Sequence, residues 1–130
     1  MMMNWIATPL KGANGVLFGN TRDEVRNILG LDYTEFKKST LSKNTTDDFG
    51  VCHVFYDEQN MCKAVEVFED IKVEIDRTVI FPVELDILKA VVPDLEEVDE
   101  GSYVSKNFSI GVYAPSGKME SILFAGNGYF

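Results

Sequence analysis

Val16-Leu17-Phe18-Gly19-Asn20-Thr21-Arg22-Asp23-Glu24-Val25-Arg26-Asn27-Ile28-Leu29-Gly30 is the stretch that decides the fold, because its order of chemical types returns from Val79-Ile80-Phe81. Laid over that second stretch without a gap, Asp23 falls on Asp86, Val25 on Leu88, Arg26 on Lys89, Ile28 on Val91, Leu29 on Val92 and Gly30 on Pro93. Further out, Val51-x-His53-x-Phe55-Tyr56 falls on Phe108-x-Ile110-x-Val112-Tyr113, and Val65-x-Val67 falls on Ile122-x-Phe124, with a shorter loop in the second copy. Identities are few; what repeats is the order of elements. The expectation is one α+β domain over residues 1–130, built from two related strand-helix-hairpin units at approximately 10–72 and 73–130. Their strands are expected to form an antiparallel sheet with the two short helices packed on one face. Whether the units make one continuous sheet or two facing ones is left open by the pattern.

Local chemistry supports the helices. Thr21-Arg22-Asp23-Glu24 has the spacing of a capping box, in which the Thr21 hydroxyl and the Glu24 carboxylate each satisfy a free backbone amide. Val25, Ile28 and Leu29 then make an apolar stripe, Arg26 is expected to face water, and Gly30 closes the last turn. In the second copy Leu85, Leu88, Val91 and Val92 make the stripe and Pro93 ends it. Alternating, β-branched and aromatic runs place strands at 49–56, 63–68, 73–75, 79–81, 107–113 and 121–125. Asp57-Glu58-Gln59-Asn60, Ala114-Pro115-Ser116-Gly117 and Asp76-Arg77 supply turns, and Gly12-Ala13-Asn14-Gly15 reads as a hairpin turn rather than a phosphate loop. Two long loops remain, about Leu31 to Asp48 and Asp94 to Lys106, and excursions of that length are where contacts are expected.

The chain has 130 residues, 45% of them hydrophobic, enough for a core without disulfides or metal. No apolar run of about 18 residues occurs, and Met1 to Leu10 lacks a basic head followed by an apolar stretch. A soluble cytoplasmic protein, neither spanning nor bound to a membrane, is expected. Net charge is −9 and lopsided: residues 1–65 carry 7 basic and 8 acidic side chains, residues 66–130 carry 5 and 13. Such a balance repels phosphate backbones, so direct nucleic-acid binding is not expected. An acidic face instead speeds encounter with a basic partner.

Residues able to carry chemistry are sparse. There is one histidine, His53, which alternates with Val51 and Phe55 and is read as a core or half-buried ring in register with Ile110. Cys52 points to the opposite face from His53, so the two do not share a metal, and Cys52 and Cys62 are not cross-strand partners. No cofactor, metal or catalytic residue is expected. Asp94, Glu96, Glu97, Asp99 and Glu100 crowd one loop and have three readings: a solvated flexible loop, a docking surface for a basic partner, or a catalytic or metal-binding group. Asp47 and Asp48, in the equivalent first loop, are the second choice for partner contact. The group Glu66, Glu69, Asp70 and Glu74 could extend the acidic surface.

With Gly15-Val16-Leu17-Phe18-Gly19, the helix from Arg22 to Leu29 and the hairpin from Val51 to Phe68 in a small acidic chain, the sequence resembles small immunity proteins of bacterial polymorphic toxin systems, especially those of contact-dependent growth inhibition. The resemblance rests on size, charge and element order, and carries no residue roles with it. It implies a non-enzymatic protein that binds and neutralises a cognate toxin domain, commonly a basic nuclease. Two other classes compete. One is a ligand- or peptide-binding adaptor whose groove at the junction of the units is lined by Trp5, Phe36, Tyr103 and Tyr129; the other is a hydrolase using loop carboxylates.

Overall fold

The capping box at Thr21 forms as its spacing dictates. In the computed structural model, which describes residues 3–30 and 32–130, the Thr21 hydroxyl accepts from the Glu24 amide at 3.1 Å and Glu24 Oε1 accepts from the Thr21 amide at 2.8 Å. Leu31, the first residue of the expected first loop, lies outside the described residues, as do Met1 and Met2. The elements, in order, are β1 (Met3–Thr8), β2 (Gly12–Ala13), β3 (Val16–Leu17), α1 (Arg22–Leu29), β4 (Thr34–Phe36), β5 (Thr46–Asp48), β6 (Cys52–Tyr56), β7 (Cys62–Phe68), β8 (Ile71–Ile75), β9 (Thr78–Phe81), α2 (Leu85–Val91), β10 (Glu96–Asp99), β11 (Ser102–Ser105), β12 (Ile110–Tyr113) and β13 (Ser121–Ala125). The chain is α+β, dominated by strands, with two short helices.

The strands form two sheets, the point that the sequence pattern leaves open, and one pair of strands is parallel where antiparallel pairing is expected. The smaller has the order β3-β2-β1-β8-β9 and the larger β10-β11-β12-β13-β7-β6-β5-β4. The larger is antiparallel throughout, but in the smaller β1 runs parallel to β8, with Met3 opposite Ile71 and Trp5 opposite Val73. β1 escaped the sequence reading although Trp5 and Ala7 turn inward while Asn4 and Ile6 stay exposed. Its inward positions fill the gap beside β8. Turn chemistry sets the hairpins: Asn14 and Gly15 (φ 50° and 86°) join β2 to β3, and Asp76 and Arg77 (φ 48° and 69°) join β8 to β9, the positive dihedrals that tight two-residue hairpins require.

One core lies between the sheets. Trp5, Val16, Val73 and Ile80 from the smaller sheet meet Val54, Val65, Val67, Ile110, Ile122 and Phe124 from the larger, with Val25 of α1 and Leu88 of α2 closing the sides. Both helices reach the inner face of the larger sheet, since Arg22 lies over the Tyr56 ring at 4.0 Å and Lys89 over the Tyr103 ring at 5.7 Å. The opposite face of the larger sheet carries a second cluster of Phe55, Ala64 and Ala125, with Leu123 and Tyr129 packed on it. Phe130 sits over Gly111, where an added Cβ would meet its Cζ at 2.9 Å.

The inner face of α1 is not the apolar stripe read from its sequence. Arg22 and Val25 are buried and Arg26 is largely so, whereas Ile28 is 44% exposed. Arg26 therefore faces the protein and not water, because a buried carboxylate waits for it on β5.

Candidate protein-docking surface

That carboxylate is Asp47. Its Oδ1 accepts from Arg22 Nη1 at 2.9 Å and Arg26 Nη2 at 2.8 Å, and its Oδ2 from Arg26 Nε at 3.0 Å and Tyr56 Oη at 2.8 Å. Burial alone would push the Asp47 carboxyl up, but the hydrogen bonds from Arg26 and Tyr56 and the charge of Arg22 outweigh it and hold it below the usual carboxylate range. Burial, aided by the bond to Asp47, pushes the Tyr56 hydroxyl up. Asp47 was expected at a partner-binding surface; with no exposed area it is instead the pin that fastens α1 to the larger sheet. Asp48 points the other way, its Oδ2 3.5 Å from His53 Nε2 and its Oδ1 accepting from the Gly50 amide at 2.7 Å.

His53 is half-buried on the outer face of the larger sheet. Its ring centroid lies 5.0 Å from that of Phe36, 6.4 Å from Phe55 and 4.7 Å from Phe68. Ile110, matched to it by sequence, points into the core, so the two are on opposite faces. Cys52, on the inner side of β6, pairs with Val67, while Cys62 pairs with Tyr56, so the thiols are not neighbours across the ladder. Burial pushes both thiols up to about 12.

The acidic run forms a hairpin, not a flexible loop. Glu96–Asp99 is the outermost strand of the larger sheet, paired with β11 through Glu96 opposite Val104 and Glu97 opposite Tyr103, with a bulge before Asp99. Glu96, Glu97, Val98, Asp99 and Glu100 are all exposed. The turn is held from within: Glu97 Oε2 accepts from the Gly101 amide at 3.1 Å and Asp99 Oδ1 from the Glu100 amide at 2.9 Å. Gly101 has φ +77°, donates no side chain, and lies so close to Pro115 that a Cβ would come within 2.6 Å of its Cα. Its carbonyl accepts from the Ala114 amide at 2.7 Å, which fastens the hairpin to the next one. Charge on an outermost strand also discourages pairing with a second copy of the sheet.

Asp94 stands just before this hairpin but is committed to structure. Its Oδ1 accepts from Ser105 Oγ at 2.6 Å and its Oδ2 from the Asn107 amide at 3.1 Å, and the Ser105 bond holds its carboxyl below the usual range. Four of the seven expected contact residues, Glu96, Glu97, Asp99 and Glu100, are thus brought together. Asp47 and Asp48 are six inter-strand steps away along the larger sheet, roughly 29 Å at the usual strand spacing. Nor does the second acidic group join them: Glu66 lies on the outer face of the larger sheet, between His53 and Leu123, while Glu74 on the smaller sheet accepts from Asn4 Nδ2 at 2.7 Å.

The groove expected from Trp5, Phe36, Tyr103 and Tyr129 does not assemble. Trp5 is in the core, Tyr103 packs against the core from β11, and Phe36 and Tyr129 lie on the outer face of the larger sheet. Among the described residues no three His, Cys, Asp or Glu side chains are grouped so as to hold a metal ion. Asp47 and Asp94, the carboxyls with displaced titration, both shift downward, opposite to a general acid. No helix among the described residues is long and apolar enough to cross a membrane. Comparison with protein-family models, with curated proteins and with solved structures finds no match.

Proposed function

We propose that this chain is a small immunity protein of a bacterial polymorphic toxin system, a non-enzymatic inhibitor that binds a basic toxin domain, such as a nuclease, in the cytoplasm. The observation that carries the reading is the β10–β11 hairpin, which displays Glu96, Glu97, Asp99 and Glu100 at the outer edge of the larger sheet. Four charges held on backbone already ordered lose little conformational freedom on docking, and their field steers a basic partner toward them. The adjoining outer face supplies Tyr113 and Phe130, both partly exposed, as apolar ground beside the acidic rim, the arrangement usual in protein interfaces.

The same proposal includes two related units in one domain. Strands β7-β6-β5-β4 and β13-β12-β11-β10 run outward in matching order from the antiparallel β7–β13 pair, and each set follows a hairpin and a helix, which supports a duplicated unit with β1 added between the copies. Pairing also favours a different register from the one read in sequence. Val67 pairs with Cys52 as Phe124 pairs with Ile110, so the match for Ile110 is Cys52, one residue before His53.

The test is affinity capture of the tagged chain from its native host, washed at low and at high salt, beside the variant Glu96→Gln/Glu97→Gln/Asp99→Asn/Glu100→Gln. Equimolar recovery of a basic toxin domain with the wild type, weakened by salt and by the four substitutions, supports the reading. Recovery that is indifferent to both removes the hairpin from it.

A further inference from the structure

At the opposite end of the larger sheet from the acidic hairpin, the β4–β5 connection folds over the β6–β7 turn and encloses a cleft of about 270 Å³. Three of the chain's 12 basic side chains, Lys38, Lys43 and Lys63, line it, together with Ser42, Asn44 and Thr45. Two carboxylates, Asp57 and Glu58, line it as well. Glu58 Oε1 holds Lys43 Nζ at 2.9 Å, and Asp57 Oδ1 accepts from the amides of Gln59 at 2.9 Å and Met61 at 3.0 Å. Glu35 accepts from Thr45 Oγ1 at 2.7 Å and faces the two arginines around Asp47. Among the described residues, Lys38 and Lys63 have no carboxylate within ion-pair distance. Lys38 is also ordered in advance, its Nζ 4.6 Å above the centre of the Phe55 ring.

We propose that this cleft binds a compact phosphate group, as inorganic phosphate or on a small phosphomonoester. Lys38, Lys63 and the Glu58-paired Lys43 outnumber the two carboxylates of the lining, and the Ser42 hydroxyl and the second N–H of the Asn44 amide, whose first goes to the Asp57 carbonyl, add groups able to donate, while the Thr45 proton is already held by Glu35. The ligand is compact because the surrounding chain carries −9: a long polyanion is repelled along its length, while a small one feels the local lysines within a screening distance of about 8 Å. The site is separate from the docking hairpin and does not depend on it.

Isothermal titration of the full chain with inorganic phosphate, and separately with glycerol 3-phosphate, at constant ionic strength tests the proposal. Saturable binding at one site per chain is expected. Lys38→Gln/Lys63→Gln, at exposed positions that leave the fold intact, raises Kd at least tenfold, whereas Glu58→Gln releases Lys43 and lowers Kd. Tighter binding of the ester than of phosphate assigns the cleft to a phosphorylated metabolite, and equal binding assigns it to the phosphate group alone. Heats that do not saturate, that chloride reproduces at the same ionic strength, or that survive the double substitution overturn the proposal.

Discussion

Removing the Asp47 carboxylate is the sharpest perturbation the fold offers. Asp47→Ala strands Arg22 and Arg26, whose side chains are only 10% and 16% exposed, and leaves the Tyr56 hydroxyl without its acceptor. Breaking a buried ion pair by removing one partner costs about 3–5 kcal/mol, a large share of the roughly 5–15 kcal/mol that holds a domain of this kind. Glu35 lies 3.7 Å from Arg22 and 3.5 Å from Arg26 at the solvent edge and recovers part of the lost attraction. The expectation is therefore the lower end, about 3 kcal/mol, or a fall in Tm of roughly 9–15 °C. Urea unfolding followed by far-ultraviolet circular dichroism reads it directly. A loss below about 1 kcal/mol, the worth of an exposed pair, would refute the reasoning, because the arginines would then be solvated rather than pinned.

The remaining expectations concern pH, caps, turns and thiols. The Asp47 carboxyl is held below its unfolded value of about 3.9, so its stabilisation is fully present above that pH and is lost as pH falls below about 4. Asp47→Asn should flatten the acid limb of a stability–pH curve, and an unchanged slope would remove Asp47 as its source. Thr21→Ala should cost about 1 kcal/mol in urea unfolding through loss of the α1 cap, and no change would mean that tertiary contacts alone set the helix start. Gly101→Ala forces a Cβ against Pro115 at positive φ and should cost about 1–3 kcal/mol while lowering amide protection in β10 and β11, a result absent if the turn can move away. Cys52 and Cys62, buried and with thiols raised to about 12, should be inert to a thiol reagent until the chain is unfolded; rapid labelling of the native protein would contradict their burial.

Where side-chain chemistry acts over a few residues, the fold was legible. The Thr21–Glu24 box, the Asn14-Gly15 and Asp76-Arg77 turns and the inward alternation of Val65 and Val67 all do in the folded chain what their spacing says. The failures are long-range. Arg26 reads as solvent-facing because nothing near it in sequence reveals that Asp47 is buried opposite α1. Glu96–Asp99 reads as a loop in sequence because three carboxylates in four residues give a poor strand signal, while the pairing comes from Ser102–Ser105 across a tight turn. His53, paired with Glu66, faces outward while Ile110, paired with Phe124, faces the core: a difference of one residue in register puts a side chain on the other face, and residue types alone do not reveal it. Of the site, the acidic run on β10 could be read directly. The division of labour among its neighbours, Asp94 bonding Ser105 and Asp47 bonding Arg22, Arg26 and Tyr56, required the fold.

Association kinetics test the docking claim most directly. The partner to use is the basic domain recovered by the affinity capture described above, measured against the wild type and against Glu96→Gln/Glu97→Gln/Asp99→Asn/Glu100→Gln over a range of salt concentrations. The account predicts an association rate about tenfold lower for the variant at low salt, a flatter salt dependence, and a nearly unchanged Tm, because the amide side chains keep an oxygen to accept from the Gly101 and Glu100 amides. Equal association rates for the two proteins at every salt concentration would contradict it.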